Sequence, residues 1–224
     1  MKRSDIRSVL FDLDGTLLDT APDLIRVLNQ VRIEQGREPL PHELVRTQVS
    51  HGSGGLIRLG FPDLSGDALE ALRLRLLALY SAQVAIDTVL FDGCQAVLDE
   101  LKLRAMPWGI VTNKPGFLTT PLLASLGLDA CAGCVVSGDT LPQRKPHPAP
   151  LLLAASQLSL SPQQCLYVGD AERDVQSARA AGMPVLVARY GYLGPDDNPD
   201  AWGPDALIDA PTQIIDWLDG APSR

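Results

Sequence analysis

Read for polarity alone, the chain alternates between short apolar runs and longer segments whose apolar residues recur every three or four positions. The runs are Ser8-Val9-Leu10-Phe11, Trp108-Gly109-Ile110-Val111, Cys134-Val135-Val136, Cys165-Leu166-Tyr167-Val168 and Pro184-Val185-Leu186-Val187. Each is rich in Val and Ile or Leu and lacks polar alternation, so each predicts a parallel strand buried on both faces. Between them, residues 93–104, 114–126, 148–158 and 174–181 carry helical spacing, the last closed by Gly182. A loop dense in Gly, Pro and Asp at 190–204 precedes a short strand, Ala206-Leu207-Ile208, and a helix over 212–218. Strand and helix in strict alternation predict an α/β fold, a Rossmann-like parallel sheet with helices on both faces.

One interval breaks the rhythm. From Asp14 to Thr112 the chain is far longer than the roughly 30 residues of a βαβ unit. Residues 23–35, 42–50 and 67–85 have helical spacing, and no strand stands out among them. The expectation is a small all-helical domain, residues 18–90, inserted into a core made of residues 1–17 and 91–224. Its hinges are expected at 17–21 and at Phe91-Asp92-Gly93. The stripe Leu69, Leu72, Leu76 and Leu79 is too short for a stable coiled coil and reads as packing within the insert.

Composition narrows the class. With 46% apolar and 21% charged residues, the 224-residue chain is an ordinary globular protein rather than a disordered one. Nineteen Lys plus Arg against 27 Asp plus Glu leave a net charge of −8, which argues against a nucleic-acid partner. No stretch approaches the roughly 18 uncharged apolar residues that span a bilayer. The N-terminus is polar and its first apolar run too short for a signal peptide, so a cytoplasmic location is expected. Four cysteines, at 94, 131, 134 and 165, suit a reducing compartment. Cys131-Ala-Gly-Cys134 has metal-like spacing but no second pair to complete a zinc site, so these cysteines read as small buried hydrophobes. Monomer and homodimer are both open.

In an open parallel sheet, ligands bind beyond the carboxyl ends of the strands. The residues just past each apolar run are therefore informative. Asp12-Leu13-Asp14-Gly15-Thr16 comes after the first, Thr112-Asn113-Lys114 after the second, and Gly169-Asp170-Ala171-Glu172-Arg173-Asp174 after the fourth. The third leads through Ser137-Gly138-Asp139 to Arg144-Lys145-Pro146. Crowded carboxylates repel unless a cation joins them, and Asp12, Asp14 and Asp170 have the character of oxygen ligands for Mg²⁺. Lys145 and Thr112 facing the same ligand would complete a site for a highly charged anion such as phosphate. Any one Asp could merely cap a helix; convergence at four strand ends favours chemistry. Period two places Asp12 and Asp14 on one side of a continuing strand, with Gly15 turning the backbone away. Asp170 and Asp174 are four apart, so they share a face if a helix starts here.

These residues carry a family resemblance. Phe11-Asp12-Leu13-Asp14-Gly15-Thr16-Leu17, Ile110-Val111-Thr112-Asn113, Lys145-Pro146 and Gly169-Asp170-x-x-x-Asp174, with a helical insert after the first, resemble the haloacid-dehalogenase-like phosphatases over nearly the whole chain. The resemblance implies that Asp12 is the nucleophile that takes the phosphoryl group. It implies that Asp14 protonates the leaving alcohol and later activates water. Thr112 and Lys145 would hold the phosphate, while Asp12, the Asp14 carbonyl and Asp170 would bind Mg²⁺. Asp174 would lie on the solvated side of the metal or beside Lys145. Asn113 offers its backbone N–H to the phosphate, or a side chain to the turn. His147, between two prolines, reads as a loop brace rather than a proton shuttle.

The chemistry agrees with the residues. Hydrolysis of a phosphate monoester needs up to ~10²¹-fold acceleration, and a carboxylate nucleophile divides it into two easier displacements. An inserted cap closing over the substrate would exclude water and add selectivity. Within it, His51-Gly52-Ser53-Gly54-Gly55 reads as a loop opening a helix at Leu56, either a simple turn or an anion-binding loop. Similar loops in phosphoglycolate-phosphatase-like relatives meet the leaving group, which makes His51, Ser53 and Arg58 candidates for specificity. The expected substrate is a small phosphorylated metabolite. The chain resembles bacterial phosphoglycolate phosphatases and equally a branch acting on N-acetylmuramic acid 6-phosphate, to which Ala171 and Arg189-Tyr190-Gly191-Tyr192 point. A phosphosugar mutase is a further alternative, and a receiver-like signalling domain lacks the Asp-x-Asp-Gly-Thr motif and the cap.

Overall fold

The structure, a computed structural model, describes residues 3–220. The chain first lays down β1 (Ser8–Phe11) and a two-residue strand, β2 (Leu18–Asp19). Four helices come next, α1 (Ala21–Glu34), α2 (His42–Arg46), α3 (Gly52–Gly60) and α4 (Gly66–Ala82), and then a second two-residue strand, β3 (Val89–Leu90). Beyond it come α5 (Cys94–Leu103), β4 (Trp108–Val111), α6 (Gly116–Ser125), β5 (Cys134–Val136) and α7 (Ala149–Gln157). The chain ends through β6 (Cys165–Gly169), α8 (Glu172–Ala181), β7 (Val185–Ala188), β8 (Ala206–Ile208) and α9 (Gln213–Leu218).

Six strands form one all-parallel sheet in the order β5-β4-β1-β6-β7-β8. Chain order runs outward from β1 on one side and resumes with β6 on the other, so the ends of β1 and β6 flank a topological switch point. Alternate residues of each strand serve opposite faces. Val9, Phe11, Leu166, Val168 and Leu186 pack with α5, α6 and α9, whereas Leu10, Tyr167, Val185 and Val187 pack with α7 and α8. Burial on both sides explains why these strands read as unbroken apolar runs.

The stretch between β1 and β4 is helical as expected, and α1–α4 share their own apolar cluster, which includes Leu72, Leu76 and Leu79. The core adds Leu118 and Tyr192 to that cluster. β2 and β3 pair antiparallel, Leu18 opposite Leu90 and Asp19 opposite Val89, so the two chain crossings run side by side. A two-residue ribbon is too short to leave a periodic signal, and the sequence gives no hint of it. The Tyr192 hydroxyl secures this crossing: it accepts from the N–H of Thr20 and Ala21 at 2.7 and 2.9 Å and donates to Asp19 at 2.8 Å.

Three local expectations are corrected. Residues 42–50 are not one helix: α2 ends at Arg46, and Val49–His51 forms a 3₁₀ turn. The glycine stretch is no free loop, because α3 begins at Gly52 rather than Leu56. Buried Leu56 and Ile57 pack in the α1–α4 cluster, and this tertiary gain overrides the poor helix propensity of glycine. Cys131 is exposed, whereas Cys94, Cys134 and Cys165 are buried as expected, with burial pushing the last two thiols up to about 11. Among the described residues, no helix is long and apolar enough to cross a membrane.

Gly109 in β4 lies opposite Leu10 and Cys134, and a Cβ there would come 2.3 Å from Cys134 Sγ and 3.0 Å from Leu10 Cδ2. Gly109→Ala is expected to cost about 1–3 kcal/mol through overpacking, read as a lower urea midpoint with an unchanged slope.

Candidate active site

Asp12 continues β1 by one residue, its N–H donating to the Val168 carbonyl at 2.8 Å while its Oδ1 accepts the Leu13 N–H at 2.7 Å. Lys145 reaches the same oxygen at 2.9 Å and Asp174 Oδ1 at 2.8 Å, and donates to the Tyr167 hydroxyl at 2.8 Å. These three contacts use all three ammonium donors. Tyr167 in turn donates to the Val111 carbonyl at 3.0 Å. Asn113 fixes the loop that carries Lys145: its side-chain amide donates to the Lys145 carbonyl at 2.9 Å and accepts the Lys145 N–H at 3.0 Å. His147 braces the far side, accepting the Ala149 N–H at 3.1 Å on Nδ1.

Asp174 lies in the first turn of α8, where its Oδ2 accepts the Ala171 N–H at 3.0 Å. Of its two expected positions it takes the one beside Lys145, fully buried. Asp170 precedes the helix, so the turn rather than a shared helical face brings it near Asp174. Its carboxylate accepts from Tyr192 N–H at 3.0 Å and Ser50 Oγ at 2.8 Å, with Thr16 Oγ1 at 3.4 Å. Gly15 has φ +84°, and a Cβ there would fall 2.2 Å from Asp170 Oδ2, so the glycine both turns the chain and admits this carboxylate.

One oxygen each of Asp12, Asp170 and Asp174 lies within 4.8 Å of the others, all three side chains being buried. Burial, then repulsion from Asp12 and Asp174, pushes Asp170 up to about 7. Burial likewise raises Asp12 despite Lys145. Burial alone would raise Asp174 too, but Lys145 and Arg173 outweigh it and hold that carboxyl below its ordinary range. Two of the three carboxylates, Asp12 and Asp174, thus share one buried ammonium, while Asp170 has only the Arg173 guanidinium nearby. The all-oxygen donor set and its excess negative charge fit a hard divalent cation.

Asp14 takes a different position. Its carboxylate does not join the cluster: Oδ1 accepts from Thr20 Oγ1 at 2.6 Å and pairs with Lys114 Nζ at 2.9 Å. Thr112 Oγ1 accepts the Lys114 N–H at 3.1 Å. Above these groups lies a cavity of about 1100 Å³, walled by Asp12, Asp14, Thr112 and Asn113 from the core and by Ser50, His51 and Ser53 from the helical insert. Arg58 is not part of that wall. Because α3 starts at Gly52, Arg58 sits five residues past Ser53, about 140° around the helix, and is exposed. The cavity wall instead carries Lys114, Arg73, Arg144 and Arg173, which sequence reasoning did not single out. Lys114 adjoins Thr112-Asn113 and could have been flagged by position; Arg73 and Tyr167 look like ordinary helix and strand residues.

The comparisons with known proteins agree with this geometry. A model of the haloacid dehalogenase-like hydrolase family matches residues 9–188, and the chain belongs to that family. A phosphoglycolate phosphatase of Xylella fastidiosa is 44% identical over 205 residues, 92% of this chain and 90% of that protein. An N-acetylmuramic acid 6-phosphate phosphatase of Pseudomonas aeruginosa is 40% identical over 222 residues, 99% of this chain and 98% of that one. The crystal structure of a predicted phosphoglycolate phosphatase from Haemophilus somnus superposes with a TM-score of 0.85 at 27% identity, covering 95% and 98% of the two chains.

Two substitutions separate the parts of the Lys145 contact. Lys145→Met leaves Asp12 and Asp174 buried without their cation and is expected to cost about 3–5 kcal/mol. Tyr167→Phe deprives only a donor and a carbonyl and should cost about 1–3 kcal/mol. Urea unfolding at neutral pH measures both, and equal costs would contradict this ranking.

Proposed function

We propose that this chain, a phosphatase of the haloacid dehalogenase-like family, is a Mg²⁺-dependent monoesterase that transfers the phosphoryl group of a small carboxylate-bearing phosphate ester to Asp12. The observation that carries this reading is the buried cluster of Asp12, Asp170 and Asp174, two of them paired with Lys145, whose member Asp12 also lines a cavity that presents Asp14 and Thr112. In the first step an Asp12 oxygen bonds to phosphorus as the ester P–O bond breaks, and Asp14 gives its proton to the departing alkoxide. In the second step Asp14 takes a proton from water, the hydroxide oxygen attacks phosphorus, and the bond to Asp12 breaks, releasing inorganic phosphate. Lys145 offsets phosphate charge from below, and Thr112 Oγ1 with the Asn113 N–H serves the non-bridging oxygens. Mg²⁺, held by Asp12, Asp170 and the Asp14 carbonyl, would neutralise phosphoryl charge and favour in-line placement. Asp174 acts by holding Lys145.

The leaving group lies towards His51 and Ser53, with the Arg144 guanidinium on the cavity wall available to a carboxylate and Arg73, already paired with Glu70 at 2.6 Å, on the same wall. 2-Phosphoglycolate has such a group, and the Xylella relative bears that substrate's name. One observation favours a second substrate. The cavity is at or above the roughly 300–1,000 Å³ of ordinary small-molecule pockets, and Leu74, Leu77 and Phe117 add apolar wall that a two-carbon acid leaves uncovered. N-Acetylmuramic acid 6-phosphate combines a carboxylate with larger bulk, and it is the substrate named for the Pseudomonas relative.

Four measurements test the reading. Turnover of both esters with Mg²⁺ should favour one of them clearly over the other, and turnover of neither would refute the assignment. Asp12→Asn should lower turnover by at least about 10³-fold, since the covalent route disappears. Mg²⁺ should raise the Tm of the unaltered chain and not that of Asp170→Asn; equal shifts would remove Asp170 from the metal site. His51→Ala should lower kcat/KM about tenfold for the preferred ester and leave p-nitrophenyl phosphate nearly unaffected, whereas equal losses would count against a leaving-group contact.

A further inference from the structure

A buried contact between the helical insert and the core ends at Asp14. Lys114 sits just past the end of β4, almost wholly buried, with Nζ 2.9 Å from Asp14 Oδ1. The same ammonium donates to the Tyr80 hydroxyl at 3.1 Å and lies 4.5 Å from the ring centroid. Tyr80 belongs to α4, and its side chain is fully buried in the α1–α4 cluster. Thr20, at the start of α1, donates to the same Asp14 oxygen at 2.6 Å. Both outside supports of this oxygen, Thr20 and the Tyr80-held ammonium, therefore depend on the insert. Among the described residues, Asp14 Oδ2 accepts no hydrogen bond, and Asp14 lines the cavity. One oxygen is fastened and the other is left for chemistry.

Burying an ammonium is unfavourable unless its partners offset the lost hydration, and an apolar side chain of similar length would fill the space without that penalty. Lys114 spends its charge on Asp14, and a charge-assisted bond of this length restrains the carboxylate more firmly than a neutral one. We propose that Lys114 is a positioning residue for Asp14 and that Tyr80 makes this positioning depend on the insert being seated against the core. The proposal rests on the phosphatase reading, in which Asp14 passes a proton to the leaving oxygen. With Tyr80 in place, Lys114 is held from two sides and the free Asp14 oxygen is presented to that atom. Without the Tyr80 hydroxyl, the ammonium keeps its charge but loses the contact that fixes its direction.

The test compares two esters whose departure differs in its need for a proton. An alkyl phosphate, the preferred ester of the chain, must be protonated as it leaves, whereas nitrophenolate leaves p-nitrophenyl phosphate unprotonated. Because kcat/KM reports only steps up to the first irreversible one, dephosphorylation of Asp12 does not enter it. Positioned acid catalysis contributes about 10²–10⁴-fold. Lys114→Met is accordingly expected to lower kcat/KM about 100-fold on the alkyl ester and less than about fivefold on p-nitrophenyl phosphate. Tyr80→Phe should lower the alkyl value about tenfold, with KM and the aryl value nearly unchanged. Should Lys114→Met fail to fold, Tyr80→Phe, which keeps the ring and removes one oxygen, decides the matter alone. Equal losses on both esters, or none on either, with an active unaltered chain would overturn the positioning role and leave the phosphatase reading standing. An unaltered chain that turns over neither ester would overturn both.

Discussion

The structure is organised around one electrostatic constraint: buried carboxylates from distant parts of the chain meet at one point and need a cation between them. Lys145, with no exposed side-chain surface, stands 2.9 Å from Asp12 and 2.8 Å from Asp174. An ammonium removed from water is tolerable only when all its donors are used, and the Tyr167 hydroxyl supplies the third partner. The surroundings are then arranged to hold this ammonium still. Asn113 clamps the Lys145 backbone through two hydrogen bonds, and the α8 N-terminus fixes the other oxygen of Asp174. Asp170 has no such cation, and its raised proton affinity marks where the negative charge is least compensated.

Sheet topology makes this meeting possible. β1 pairs in register with β4 on one side and β6 on the other, so Asp12, Thr112 and Asp170 leave neighbouring strand ends although far apart in the chain. Parallel strands deliver their carboxyl ends to one edge, and crossing helices bring their N-termini back to it. The approach is close enough that Gly15 must lack a side chain for Asp170 to fit.

This part of the molecule was legible in the sequence because two local rules coincide. Apolar runs such as Val9-Leu10-Phe11 announce buried strands, and an abrupt change to Asp12 or Asp170 announces the edge where they end. Period, order and insert position therefore predicted the six-stranded sheet and the helical character of the insert. Less was visible where structure arises from contacts between segments. Tyr167 reads as one more strand residue, and only the folded chain turns its hydroxyl into a Lys145 ligand. Ser53 reads as a loop residue just ahead of the helix that carries Arg58, yet packing of Leu56 and Ile57 extends that helix to Gly52 and sets the two about 140° apart on it. Tyr192 lies in a stretch dominated by turn formers, and nothing local shows that its N–H serves Asp170 while its hydroxyl secures Thr20 and Ala21.

Those long-range contacts share a direction. Ser50 from the insert reaches Asp170, Tyr80 from the insert reaches Lys114, and Tyr192 from the core ties the first turn of α1. Each joins the insert to a group next to the carboxylates rather than to the remote faces of the sheet. A cap that only shielded the cavity from water would need apolar contact at its rim and nothing more. Polar bonds from the cap to the supports of Asp14 and Asp170 cost desolvation, so their placement reflects the groups they control. On the proposed reading, seating the insert and aligning the reactive carboxylates are one event, because the same hydrogen bonds accomplish both.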